Sequence, residues 1–508
     1  MNRVKNAKRG LLFGYINTIV GIILPFFSRT VIIYKLGNEY VGLGGLFTSI
    51  ISILSVTELG FGSALAYILY EPIAKGQTER IRTILLYSRK AFHIIGLIIL
   101  SGGLAVTPFV KCLIKSDFPS CLNIYIIFLL YLLPTVTSYF MFSYKRILLN
   151  ANQRYDIEVK IQTVTAIVQY AVQIVVIVFT KNYYLYAIVL LGTTILSNVI
   201  VDVTSKRLYP DYYCYGIIDE ADRKNIIEKV KGIFASKIGS TVFNSVDNIV
   251  ISAFFGLAIL GKYNNYYYIV SALTGMFSII HNTLRPIIGN FIQTETKEKC
   301  FDWMLNINLI YVILTCGATT CLITLYQDFI KVWIGADNQL GFLFVILFSG
   351  LFMVSRIASI PGLFIESAGL WWESRYVSIL SATVNLVLNL ILSQIIGLYG
   401  VVISSIACTV FIGLWGNIIV LFKHYFNEKG MKRQYGIYIS IETIIGIISI
   451  VITVFVIGRV TANGWIGLVI KGIATVGLFA VLNVILQLPC KGNLTRIKNM
   501  VRLMAGKG

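Results

Sequence analysis

Hydrophobic and polar positions alternate in long blocks along this chain: an apolar stretch, a short polar gap, then another apolar stretch, repeated from Leu11 to Leu488. A hydrocarbon core about 30 Å thick is crossed by roughly 20 apolar residues of helix, and each block reaches that length. The pattern predicts membrane-spanning helices at 11–33, 41–68, 91–110, 122–144, 157–180, 183–205, 232–255, 263–290, 303–326, 341–365, 376–396, 400–422, 436–458 and 465–488. The fold class is therefore all-α, a polytopic membrane protein of about fourteen transmembrane helices.

Two features recur at nearly the same interval. Leu36-Gly37 with Gly42 follows the first segment, and Phe255-Gly256 with Gly261 follows the seventh, 219 residues on. Gln169 and Gln173 in segment five match Asn385 and Asn389 in segment eleven, offset by 216. Each pair is spaced i,i+4, so both amides share one helical face. Six helices per copy is an even number, which makes this a parallel repeat about an axis along the membrane normal. The expected organisation is an N-terminal six-helix lobe over 1–205, a cytoplasmic connector over 206–231, a second six-helix lobe over 232–423, and two additional helices with a cytoplasmic tail over 424–508.

Composition agrees: 57% hydrophobic residues and 13% charged place the whole chain in the membrane class. The net charge of +20 would fit a nucleic-acid binder, but position decides otherwise. Lys and Arg are about fourfold more abundant in the gaps on the amino-terminal side than in the opposite ones, the positive-inside signature. Both termini are expected in the cytoplasm, and no nucleic-acid partner is implied. The opening MNRVKNAKRG reads as the flank of a retained signal anchor, because no small-residue cleavage site follows a short apolar core.

Candidate chemistry lies in charges placed where burial costs several kcal/mol each. Glu58 falls near the midplane of segment two, flanked by Gly60 and Gly62, where it could carry a proton or serve in a structural pair. Arg29 lies four residues from the outer end of segment one, within snorkelling range. Lys237 and Asp247 share segment seven but are too far apart to pair with each other. His281 and Arg285 share a face of segment eight above Pro286, and Arg356 precedes Pro361 on segment ten. Arg29, Lys237, Arg285 and Arg356 outnumber Glu58 and Asp247, a balance that favours an anionic substrate and that a pump for lipophilic cations would reverse. Segments thirteen and fourteen are expected to carry no deep charge except Lys471, close enough to its helix end to snorkel.

Other signals point nowhere. Gly256 to Tyr263 imitates a phosphate-binding loop but carries Tyr where Ser or Thr is required. Asn493-Leu494-Thr495 matches a glycosylation acceptor on the cytoplasmic side. The eight cysteines show no metal-ligand spacing, and no cofactor is implied. Cys112 and Cys121 share the outer side, as a disulfide or as two small apolar residues near an interface.

The stretch Leu36-Gly37-Asn38-Glu39-Tyr40-Val41-Gly42-Leu43, continuing through Thr57-Glu58-Leu59-Gly60-Phe61-Gly62 and Tyr70-Glu71-Pro72-Ile73-Ala74, resembles the first two helices of bacterial polysaccharide repeat-unit flippases of the O-antigen and capsule type. These belong to the multidrug/oligosaccharidyl-lipid/polysaccharide exporter superfamily. Asp247-Asn248-Ile249-Val250-Ile251-Ser252 and Gly261-Lys262-Tyr263-Asn264-Asn265-Tyr266 are similar to the opening of that family's second lobe.

The resemblance implies two lobes around a cavity that opens alternately to each side of the bacterial cytoplasmic membrane. The implied substrate is an undecaprenyl-pyrophosphate-linked oligosaccharide, with Arg29, Lys237, Arg285 and Arg356 on the pyrophosphate and Gln169, Gln173, Asn385 and Asn389 on sugar hydroxyls. Glu58, Asp247 and His281 would couple transport to H+ or Na+. Membrane lipid, a polysaccharide polymerase and glycosyltransferases are the implied partners. The alternatives are a drug or organic-cation antiporter of the same fold, and a membrane-embedded polysaccharide polymerase.

Overall fold

The computed structural model describes residues 3–58, 60–115, 118–428, 430–489 and 496. The glycosylation-like Asn493-Leu494-Thr495 lies outside them. Sixteen α-helices make up the described chain, with no strand among the described residues. In the first half they are α1 (Arg3–Lys35), α2 (Asn38–Leu54), α3 (Phe61–Ala74), α4 (Thr78–Val106), α5 (Ile124–Phe140), α6 (Ser143–Ala151), α7 (Tyr155–Thr180) and α8 (Tyr183–Leu208). The second half holds α9 (Glu220–Thr294), α10 (Lys297–Ile334), α11 (Phe342–Ser367), α12 (Trp371–Ile396), α13 (Leu398–Cys408), α14 (Trp415–Leu421), α15 (Met431–Ile457) and α16 (Gly464–Gln487).

Among the described residues eleven helices are long and apolar enough to cross a membrane, α13 and α14 counting as one continuous helix over Leu398–Phe426, and three interruptions reconcile that number with the sequence pattern. α9 holds two expected spans, broken at Gly256, whose φ of 83° is open to glycine. α5 and α6 meet at 54°, a bent span. Segment two, expected to be continuous over 41–68, divides into α2 and α3 around a 3₁₀ turn, Ser55–Glu58, and Gly60 at φ 92°. Starts are set by side-chain caps where the sequence supplies them: Asn123 accepts from Tyr125 N and Ile126 N, and Asn182 from Tyr184 N and Leu185 N.

Contacts divide the chain into two compact units, 1–264 and 265–508. The boundary differs from the expected one, because residues 232–264 group with the first unit. Gly42 and Gly261 account for part of this: a Cβ on Gly42 would overlap the Leu257 carbonyl oxygen, and one on Gly261 would overlap that of Asn38. Only glycine allows α2 and α9 to approach so closely. Asn248 Nδ2 donates to Ser49 Oγ at 2.8 Å across the same pair of helices.

In the first unit α1 packs on α7, α7 and α5 on α8, and α4 on α5. Leu46, Phe47, Ile84, Leu85, Phe128 and Leu132 are buried between them. The stretch 209–219 and the first turn of α9 are fastened to α4: Arg80 makes a bidentate pair with Asp222 of α9 at 2.8 and 2.7 Å, Arg82 donates to Asp211 O, and its guanidinium lies 4.0 Å from the Tyr213 ring centre.

In the second unit α12 packs on α13, and α10 carries α11, α15 and α16. The two C-terminal helices are not the apolar appendage the sequence suggests. Lys471 is 5% exposed and pairs with Asp328 at 2.7 Å instead of snorkelling. Glu442, 1% exposed, accepts from Gln487 Nε2 at 2.6 Å, so a second ionisable group is buried there. Thr324 with Thr475, and Asn483 with Ser449, extend this polar seam. An apolar stripe between membrane helices gains little from burial because lipid is equally apolar; hydrogen bonds and ion pairs specify the contact.

Candidate functional site

The break between α2 and α3 places Glu58 on the wall of a cavity of about 1020 Å³ lined entirely by first-unit residues from α2 to α8. That volume reaches the upper end of the usual range for ligand sites, about 300–1,000 Å³. Tyr139 Oη donates to Glu58 Oε2. Phe92 stacks on Tyr139, with ring centres 6.1 Å apart, and Gly96 gives the Tyr139 Cβ room to approach α4. Glu58 makes no ion pair among the described residues.

Across the cavity, α6 contributes Arg146 and Asn150, and α7 contributes Glu158 and Gln162. Arg146 Nη2 donates to Ser197 Oγ at 3.0 Å and Asn198 Oδ1 at 3.1 Å, while Nη1 lies 3.9 Å from Glu158 Oε1. The guanidinium is thus committed to α8. Glu158 Oε1 accepts from Gln162 Nε2 at 3.3 Å, whereas its buried Oε2 has no hydrogen-bond partner among the described residues. Sequence reading missed both: Arg146 falls in what hydropathy presents as a loop, and Glu158 is the second residue of the predicted span 157–180, where a charge reads as a helix flank. The signal was the short run Ser143–Ala151, whose apolar residues share one face of a helix.

The other expected residues are distributed over both units. Arg29, half-buried on α1, lies within electrostatic reach of Tyr183 and Tyr186. On the first part of α9, Lys237 is exposed and Asp247 half-buried. In the second unit, His281 Nε2 and Arg285 Nη1 each lie 3.5 Å from Glu366 Oε2, a carboxylate absent from the sequence-based set. Arg285 also lies 5.9 Å from the Trp371 ring centre. Arg356 on α11 is half-buried, makes no ion pair among the described residues, and has a buried Nε without a hydrogen-bond partner. A guanidinium left so is ready for an anionic oxygen.

The four amides expected to meet sugar are placed otherwise. Gln173 is 1% exposed and donates to Tyr186 O at 3.2 Å; Gln169 donates to Gln173 at 3.5 Å and accepts from Thr193. Asn385 and Asn389 are fully buried; Asn385 donates to Ser405 Oγ at 3.0 Å, and Ser404 donates to Asn389. Both pairs join a helix to its successor, α7 to α8 and α12 to α13. These hydrogen bonds tie helices together inside each unit. The recurrence itself persists, and Gly37 (φ 114°, ψ 172°) and Gly256 (φ 83°, ψ 175°) share a backbone conformation. Cys112 and Cys121 are free thiols; Cys121 Sγ lies 3.2 Å from Tyr40 Oη.

No family model matches the chain, and no curated protein matches its sequence. Solved structures do. One described as the lipid II flippase MurJ in an inward closed conformation superposes with a TM-score of 0.67 at 14% identity, covering 94% of this chain and 99% of that one. The MATE multidrug transporter DinF-BH gives 0.60 at 15% identity over 83% of this chain and 97% of its own. An inward-facing multidrug resistance MATE family transporter of the MOP superfamily gives 0.58 at 13% identity over 81% and 98%. At such identities the likeness is one of architecture, and the chain has the fold of the MOP-superfamily transporters.

Proposed function

We propose that the protein is a flippase that moves undecaprenyl-pyrophosphate-linked oligosaccharide repeat units from the inner to the outer leaflet of the bacterial cytoplasmic membrane, by ion-coupled alternating access. The observation that carries this reading is the extent of the fold likeness: 94% of the chain superposes on the lipid II flippase, against 81–83% on the two multidrug transporters. Flipping of a lipid substrate is what that neighbour's description and the sequence resemblance have in common.

In this reading Arg356, with no carboxylate partner among the described residues, is the leading pyrophosphate ligand, and Arg29, Lys237 and Arg285 add positive charge. Glu58, held by Tyr139 at a helix break, and Asp247 are the coupling carboxylates. His281 acts with Arg285 through Glu366. Both termini lie in the cytoplasm, and a polymerase and glycosyltransferases supply and consume the substrate. The two carboxylates in the first-unit cavity favour a second reading, an organic-cation antiporter.

Depletion of the protein followed by leaflet-resolved analysis of lipid-linked sugars separates the two. Accumulation of the undecaprenyl-linked unit on the inner leaflet is expected. Unchanged lipid-linked sugars with increased retention of a cationic dye would favour the antiporter.

A further inference from the structure

We infer that the first-unit cavity is a glycan subsite that accepts neutral or amine-bearing sugars and rejects sugars carrying a carboxylate or sulfate. The inference rests on the flippase reading above and specifies the substrate's glycan.

Size, lining and charge carry it. The cavity of about 1020 Å³ has room for more than one sugar ring, and hydroxyl and amide side chains such as Thr48, Ser52, Asn150 and Thr194 line much of it. Tyr131, half-buried, adds an aromatic ring of the kind that packs on the C–H faces of sugar rings. Its ionisable side chains are Glu58, Glu158 and Arg146. Arg146 donates to Ser197 and Asn198 through Nη2 and lies 3.9 Å from Glu158 through Nη1, so it offsets one of the two carboxylates.

What the cavity offers a ligand is therefore acceptor capacity. Glu158 is 7% exposed overall, and its Oε2 is buried with no partner among the described residues. A buried acceptor of that kind costs free energy until a donor reaches it. Sugar hydroxyls and amines are donors; a uronate carboxylate is not, and it would add negative charge to a low-dielectric pocket whose carboxylates already outnumber its one guanidinium. The one cation here, Arg146, is already engaged by Glu158, Ser197 and Asn198, so the inference assigns lipid head and glycan to different parts of the protein.

The test uses the full chain in proteoliposomes with two undecaprenyl-pyrophosphate trisaccharides, one neutral and one ending in a hexuronate. Leaflet exposure is followed by a membrane-impermeant reagent. The neutral glycan should cross at least roughly tenfold faster, a difference worth about 1.4 kcal/mol. Glu158→Gln, which removes one negative charge, should narrow the gap to within roughly threefold. Equal rates, or faster uronate crossing, in the unmodified protein overturn the inference and leave the flippase reading intact. If neither glycan crosses, the flippase reading falls and this one with it. The comparison in the unmodified protein decides even where Glu158→Gln does not fold.

Discussion

Lys471 Nζ lies 2.7 Å from Asp328 Oδ2, joining α16 to α10 through an ammonium whose side chain is only 4% exposed. Asp328 also accepts from the backbone N–H of Ala462, so one carboxylate holds the helix and the turn that precedes it. Removing one member of a buried pair leaves the other uncompensated, at a cost of about 3–5 kcal/mol. Lys471→Met is expected to lower the unfolding midpoint in detergent by several degrees. Lys471→Met combined with Asp328→Leu should recover much of the loss, and failure to recover would mean that the pair does more than neutralise itself.

The α2–α9 crossing gives a sharper prediction. At Gly42 and Gly261 an added methyl meets backbone that cannot turn aside. Gly42→Ala or Gly261→Ala should cost about 1–3 kcal/mol or more by overpacking, seen as loss of the monodisperse peak in size-exclusion chromatography. Gly14 and Gly350 face open space within helices. Alanine there should leave the peak unchanged or raise stability by about 0.5–1 kcal/mol.

Arg80 and Asp222 form the best-aligned ion pair outside the helix bundle, with two parallel N–H···O bonds and the carboxylate 5% exposed. A double-mutant cycle with Arg80→Gln and Asp222→Asn is expected to give a coupling of about 1–2 kcal/mol. Either single change should speed proteolytic nicking within 209–219. An unaltered nicking rate would show that Arg82 alone retains the stretch.

Glu58→Gln keeps the size of the side chain and removes its charge. Expression and fold should persist while transport falls by at least roughly tenfold, the scale of a lost coupling group. Tyr139→Phe, which deletes the hydroxyl that donates to Glu58, should show a smaller loss in the same assay. A wild-type rate in Glu58→Gln would remove this carboxylate from the mechanism.

Hydropathy made the helices legible because every membrane crossing needs the same length of apolar chain, and glycine at 37, 42, 256 and 261 marked where elements turn or touch. The break at Ser55–Glu58 was not legible: apolar residues on both sides carry the average through it, and Gly60 stands in the sequence only as a flank of Glu58. Glu58 was found by its depth, whereas Arg146 hid in an apparent loop and Glu158 at the very start of a span, where a charge passes for a helix flank. Lys471, Glu442 and Glu366 failed for another reason. Their partners, Asp328, Gln487 and His281 with Arg285, lie 45 or more residues away. A charge's neighbours across such distances are a property of packing, which periodicity does not encode.

The buried seam on α10 also sets an order for biogenesis. The hairpin of α15 and α16 carries an ammonium and a carboxylate at depths where lipid offers neither counter-charge nor water. α10, which holds Asp328, leaves the ribosome well before that hairpin does. The C-terminal pair, apolar enough to cross by itself, therefore reaches the bilayer with the acceptor for its buried ammonium already in place.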